Sequence, residues 1–151
     1  MGEAEPEGQA MKTRLLAALL IFGAFGIAGL ADARSSQAES TIDSFWTKFK
    51  AAVIKNDKET VASLSQFPIA MPYGHRTVKS KIELLKRFRE VFNGEADAAK
   101  CFAQSKPLVE PNNKNRFTVG CKNAAGDEVI IYRFVRTRTL WKFKGLDNIN
   151  E

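Results

Sequence analysis

The chain has 151 residues, 44% hydrophobic and 26% charged, with 10 glycines, 5 prolines and 2 cysteines. That composition excludes a collagen-like repeat, a disulfide-dense miniature scaffold and a disordered polymer, and the length suits one domain. A formal net charge of +6 favours encounters with anionic surfaces, which concerns association and solubility and not fold.

The first feature in chain order is KTRLLAALLIFGAFGIAGLADA, Lys12 to Ala33. Lys12 and Arg14 form a positive flank, an uncharged apolar run covers Leu15 to Leu30, and Ala31-Asp32-Ala33 supplies the small-x-small pattern cut by a signal peptidase, here before Arg34. The run is shorter than the roughly 20 apolar residues that cross a bilayer as a helix, and Gly23, Gly26 and Gly29 weaken it further. Residues 1–33 therefore read as a leader with a cleavable signal peptide, the alternative being an uncleaved N-terminal anchor. Glu3, Glu5 and Glu7 have the wrong sign for the front of a signal, which points to Met11 as the true start.

Cleavage removes 33 of the 151 residues and leaves 118, enough for a single core. The removed part holds Lys12 and Arg14 against Glu3, Glu5, Glu7 and Asp32, so the net charge rises from +6 to +8. The expected location is periplasmic or secreted, with no permanent membrane span after cleavage. The expected partners are anionic envelope components, not nucleic acid. In an oxidising compartment Cys101 and Cys121 read as one disulfide, which would stabilise the fold by roughly 3 kcal/mol. A redox or metal pair lacks Cys-x-x-Cys spacing and a nearby His.

Residues 34–39 read as a flexible leader and 40–151 as one domain. Ile42, Phe45, Trp46, Phe49, Ala52 and Val53 recur at helical spacing after a Ser40 or Thr41 cap. Asp57 caps a shorter helix that ends at Phe67-Pro68, and Ile69 to Met71 is a short extended piece. Ser80 and Glu83 have capping-box spacing before a third helix marked by Ile82, Leu85, Phe88, Val91 and Phe92 and ended by Asn93-Gly94. The period then changes to two. Phe117, Val119 and Cys121 mark one strand, Val129 to Phe134 another and Leu140 to Phe143 a last, with Cys101 to Ala103 as an earlier one. Three N-terminal helices on a curved antiparallel sheet of about four strands make an α+β, cone-like domain.

The segments FWTKFKAAVIKNDKETVASLSQFPI, GHRTVKSKIELLKRFREVF and RFVRTRTLWKFKGLD resemble small exported bacterial proteins of the nuclear transport factor 2-like, or cystatin-like, superfamily. The resemblance implies a conical sheet with an internal pocket, and pairing of two copies as a homodimer. Enzymes of that kind, such as those resembling ketosteroid isomerase, work in the pocket with a poised Asp, Tyr or His. That catalytic pattern does not carry over here: His75 is the single histidine, in a Tyr-Gly-His-Arg turn, and the carboxylates fall on caps, turns and polar faces.

No catalytic residue, cofactor or metal ligand set is assigned. Tyr73, His75, Tyr132 and Trp141 are candidates to line a pocket for a small hydrophobic ligand, though aromatic residues at such spacing also suit a core. Arg133, Arg136, Arg138, Lys142 and Lys144 are candidates for a basic face, against the alternative of a mixed solvated surface. The leading reading is a non-catalytic exported domain that binds a ligand or envelope partner. Its alternatives are a pocket enzyme acting on a small hydrophobic molecule and a basic interaction module for an anionic envelope polymer.

Overall fold

A computed structural model describes residues 41–72 and 75–149. The signal-cleavage positions Ala31, Ala33 and Arg34, the leader and Tyr73 lie outside the described residues. Helix α1 (Ile42–Ile54) begins where its cap was expected, with Thr41 Oγ1 accepting from Ser44 N at 3.1 Å. Helix α2 (Lys58–Ser63) is capped in the same way by Asp57, whose carboxylate accepts from Thr60 N at 3.0 Å. These bonds satisfy amide groups that the first turn leaves unpaired.

The expected third helix is two short ones, α3 (Lys81–Lys86) and α4 (Phe88–Asn93), which meet at Arg87. Its Ser80 cap is present, with Ser80 Oγ accepting from Glu83 N at 3.3 Å and Glu83 accepting from Lys79 N at 2.8 Å. The break changes which residues face inward. Leu84, Phe88, Val91 and Phe92 are buried, whereas Ile82, expected on the inner face, is 66% exposed. Helix α5 (Ala98–Gln104) corrects the strand expected at Cys101 to Ala103. Asp97 accepts from Lys100 N at 3.0 Å, the AAKCFAQ segment is rich in good helix formers, and Ala98 and Phe102 share the buried face one turn apart.

Five strands form one sheet in the order β1-β5-β4-β3-β2. They are β1 (Ser65–Ala70), β2 (Leu108–Glu110), β3 (Asn113–Lys122), β4 (Val129–Thr137) and β5 (Leu140–Asn148). The β3–β4 and β4–β5 pairs are antiparallel as expected, the unexpected strand β2 pairs antiparallel with β3, and β1 joins β5 in parallel and makes the sheet mixed. Pro68 is tolerated in β1 because an edge strand has one side without ladder bonds. The last strand runs past Gly145 instead of stopping before it. A Cβ at position 145 would lie 2.8 Å from both Ala70 Cβ and Ala70 O, so glycine is what lets β1 press against β5 there.

The helices cover one face of the sheet through a core of aromatic side chains. Phe49 is at its centre, with ring centroids of Phe45, Phe92, Phe102, Phe134 and Phe143 at 5.7, 6.2, 6.3, 5.1 and 5.5 Å. Phe117 stacks on Phe134 at 4.5 Å, and Trp46 meets Phe102 edge-on at 4.9 Å. Such pairs contribute about 0.5–1.5 kcal/mol each beyond area burial. The disulfide Cys101–Cys121 forms, with its Cα atoms 5.7 Å apart, and ties α5 to β3 instead of bridging two strands. Among the described residues no helix is long and apolar enough to cross a membrane.

Candidate functional site

Tyr132 and Trp141, taken from the sequence as pocket-lining candidates, are 1% and 3% exposed. Tyr132 lies parallel to Phe92 at 6.1 Å and edge-on to Phe102 at 4.8 Å; Trp141 meets Phe117 edge-on at 5.0 Å. Burial pushes the Tyr132 hydroxyl pKa well above the usual phenol range, with Asp97 and Glu95 adding to the effect. Among the described residues, Tyr132 and Trp141 are thus part of the packed layer between helices and sheet.

His75 is separated from both. It sits in a surface recess of about 280 Å³ with Arg76, Glu83, Arg87 and Glu90. Its Nδ1 is 3.9 Å from Glu90 Oε1 and its Nε2 4.0 Å from Glu95 Oε1, beyond hydrogen-bond reach on both sides. Arg87 organises the recess. It donates to Glu90 from Nε at 2.8 Å and from Nη2, to Glu83 from Nη1 at 2.9 Å, and to the Arg76 carbonyl at 2.8 Å. Hydrogen bonds from Arg87 hold the Glu90 carboxyl below its usual range. The Glu83 carboxyl is lowered first by the Lys79 backbone amide and then by Arg87. Arg87 is raised in turn, mainly by Glu90. The group fastens α3 and α4 to the preceding loop, and its cation is already shared between two carboxylates.

The five basic candidates do not form a single face. In the sheet register Arg133 stands opposite Thr118 on one side and Gly145 on the other, and it belongs to the set alternating with buried Tyr132 and Phe134. It therefore projects from the face away from the helices. Lys144 is the extra residue of a β-bulge, because Arg133 pairs with Gly145 and Phe134 with Phe143. Its Nζ donates to the Pro68 carbonyl at 3.1 Å. Arg136 has the parity of Phe134 and pairs with Trp141, which puts it on the helix side. Arg138 is in the β4–β5 turn with φ 53°. Lys142 donates to the Ser63 carbonyl at 2.6 Å, and burial, followed by Lys48, lowers its ammonium pKa.

What collects on the outer face instead is Arg116, Arg133 and Lys144 around a recess of about 230 Å³, with Ala70, Glu110, Val135 and Gly145 in its walls. Arg133 Nη2 is 3.1 Å from Asp147 Oδ2. Arg116 is absent from the candidates read off the sequence. Its alternation with buried Phe117 and Val119 was the available signal, since it puts Arg116 and Thr118 on the outer face. Among the described residues no cluster of three His, Cys, Asp or Glu side chains is placed to hold a metal ion.

No family model and no curated protein sequence matches the chain. Among solved structures it is similar to LinA, at 14% identity and a TM-score of 0.42 over 72% of this chain and 82% of that one. It is similar also to a domain of unknown function with a cystatin-like fold from Nostoc punctiforme, at 12% identity and a TM-score of 0.44 over 74% and 80% of the two chains. A third is an NTF2-like protein with a cystatin-like fold from Novosphingobium aromaticivorans, at 14% identity and a TM-score of 0.39 over 69% and 75%. Each likeness concerns the fold.

Proposed function

We propose that this protein is an exported, non-catalytic binding domain that engages an anionic envelope polymer through the outer face of its sheet. The observation that carries the reading is the contrast between the two faces. The inner face is closed by Phe49, Phe92, Phe102, Phe117, Tyr132, Phe134 and Phe143, all fully buried, whereas the outer face carries Arg116, Arg133 and Lys144 about an open recess. A small-molecule enzyme needs a concave, dry site with a poised acid or base. Export is supported by the Lys12 to Ala33 pattern, and a disulfide such as Cys101–Cys121 is of the kind that persists in oxidising compartments.

The same charge bears on self-association. Isologous pairing through the outer face sets each patch against its own copy, bringing Arg116, Arg133 and Lys144 together with their equivalents.

The test is the affinity for polyphosphate as a model polymer, measured by anisotropy at several salt concentrations. Arg116→Gln, Arg133→Gln and Lys144→Gln together remove three outer-face charges. Lys48→Gln, Lys50→Gln and Lys55→Gln remove the same charge from α1 and its C-cap. The outer-face variant is expected to bind at least tenfold more weakly with a shallower salt dependence, and the helix variant nearly as well as the parent. Equal losses in both would mean that net charge alone acts, and the reading would fail.

A further inference from the structure

Resting on that reading of the outer face, we propose that the recess between Arg116, Arg133 and Lys144 is a seat for one small organic monoanion: a carboxylate on a short apolar stem. Three strands bring the cations together, Arg116 from β3, Arg133 from β4 and Lys144 from β5. Gly145, the cross-strand neighbour of Arg133, lets Ala70 of β1 close in on β5, and both residues form part of the wall. Ala70, held close to Gly145, and Val135 supply apolar wall.

Charge decides the class of ligand. Arg116, Arg133 and Lys144 face Glu110 within the walls, and Arg133 is also engaged by Asp147. Three cations against two carboxylates leave a single positive charge, which suits a monoanion better than a phosphate monoester. Arginine presents two parallel N–H donors in the geometry of a carboxylate. The Lys144 ammonium gives one hydrogen to Pro68 O and has three to give. A volume of about 230 Å³ equals some seven or eight waters at roughly 30 Å³ each. That admits a carboxylate with a stem of a few carbons, either as a free acid or as the pendant group of a polymer.

The experiment is an amide NMR titration of the folded, disulfide-intact protein with sodium butyrate, against sodium chloride at equal ionic strength and butanol as the uncharged stem. Saturable shifts centred on Arg116, Arg133, Lys144 and Gly145 are expected with butyrate alone. Arg116→Gln should weaken them about tenfold, the value of one charged hydrogen bond. Poly-glutamate shifting the same amides would identify the pendant source, and butyrate acting alone the free acid. Shifts that do not saturate, that spread over all basic residues, or that survive unchanged in Arg116→Gln overturn the seat. If polyphosphate still binds the outer face in that case, the broader reading stands and the seat alone falls; if neither binds, both fall.

Discussion

Replacing Phe49 by alanine tests whether the interior is filled. Phe49 is completely buried, and its ring touches rings from α1, α4, α5, β4 and β5. Removing a buried Phe in such packing costs about 3–5 kcal/mol, through lost transfer energy and the cavity left behind. Because its partners come from elements on both sides of the core and are tied to them, little collapse is available, so the upper part of that range applies. Against a total of roughly 5–15 kcal/mol for a domain, the variant should be close to unfolding. Phe49→Leu, which keeps most of the volume, should lose about 1–2 kcal/mol and stay folded. Urea denaturation followed by fluorescence measures both, with midpoints converted through m-values of roughly 1–3 kcal/mol/M. Added benzene should raise the midpoint of the alanine variant by occupying the new apolar cavity. A loss below about 1 kcal/mol, far under the usual Phe→Ala range, would mean that the ring borders an existing void. The argument against an internal pocket would then collapse.

Three other outcomes follow from the geometry. Replacing Cys101 and Cys121 together by alanine removes a cross-link spanning 20 residues, worth about 3 kcal/mol of loop entropy; reductant should lower the parent's urea midpoint by the same amount and leave the variant unchanged. Tyr132 has a pKa raised by burial, so the folded state keeps a proton that the unfolded chain releases above about pH 10. Its contribution is intact below that pH and declines by up to about 1.4 kcal/mol per pH unit above it, and Tyr132→Phe should flatten this alkaline limb in urea titrations at pH 8 to 11. The lowered carboxyls of Glu83 and Glu90 act in the opposite direction. Their stabilisation is present above the ordinary glutamate pKa and lost as pH falls below it, so Arg87→Met should reduce stability near neutrality and flatten the acid limb between about pH 5 and 3.

Much of the fold was legible because local physics decided it. Thr41, Asp57 and Ser80 cap the helices they were expected to start, and period-two segments became β3, β4 and β5. The failures occurred where a tertiary partner overrode the local pattern. Arg87 reads as one more residue on a helical face, yet its bonds to Glu83, Glu90 and Arg76 O sit where α3 gives way to α4. The polar residues flanking Cys101 to Ala103 suggest a strand, while the Asp97 cap and helix-forming alanines point the other way. Strand β2 follows Pro107 and has three residues, too few for any period to register. At the site, strand parity separates Arg133 from Arg136, and the bulge at Lys144 breaks the parity on β5. Sequence proximity therefore grouped residues that the sheet divides, and it left Arg116 out because its neighbours in the recess come from other strands.

The most direct test of the outer face as the working surface is a lysine-labelling footprint read by mass spectrometry, with and without bound polyphosphate. Lys144, on β5, should become protected, while Lys48, Lys50 and Lys81 on α1 and α3 should label at unchanged rates. Protection of the helix lysines with Lys144 still reactive would place binding on the opposite side of the molecule and contradict the account.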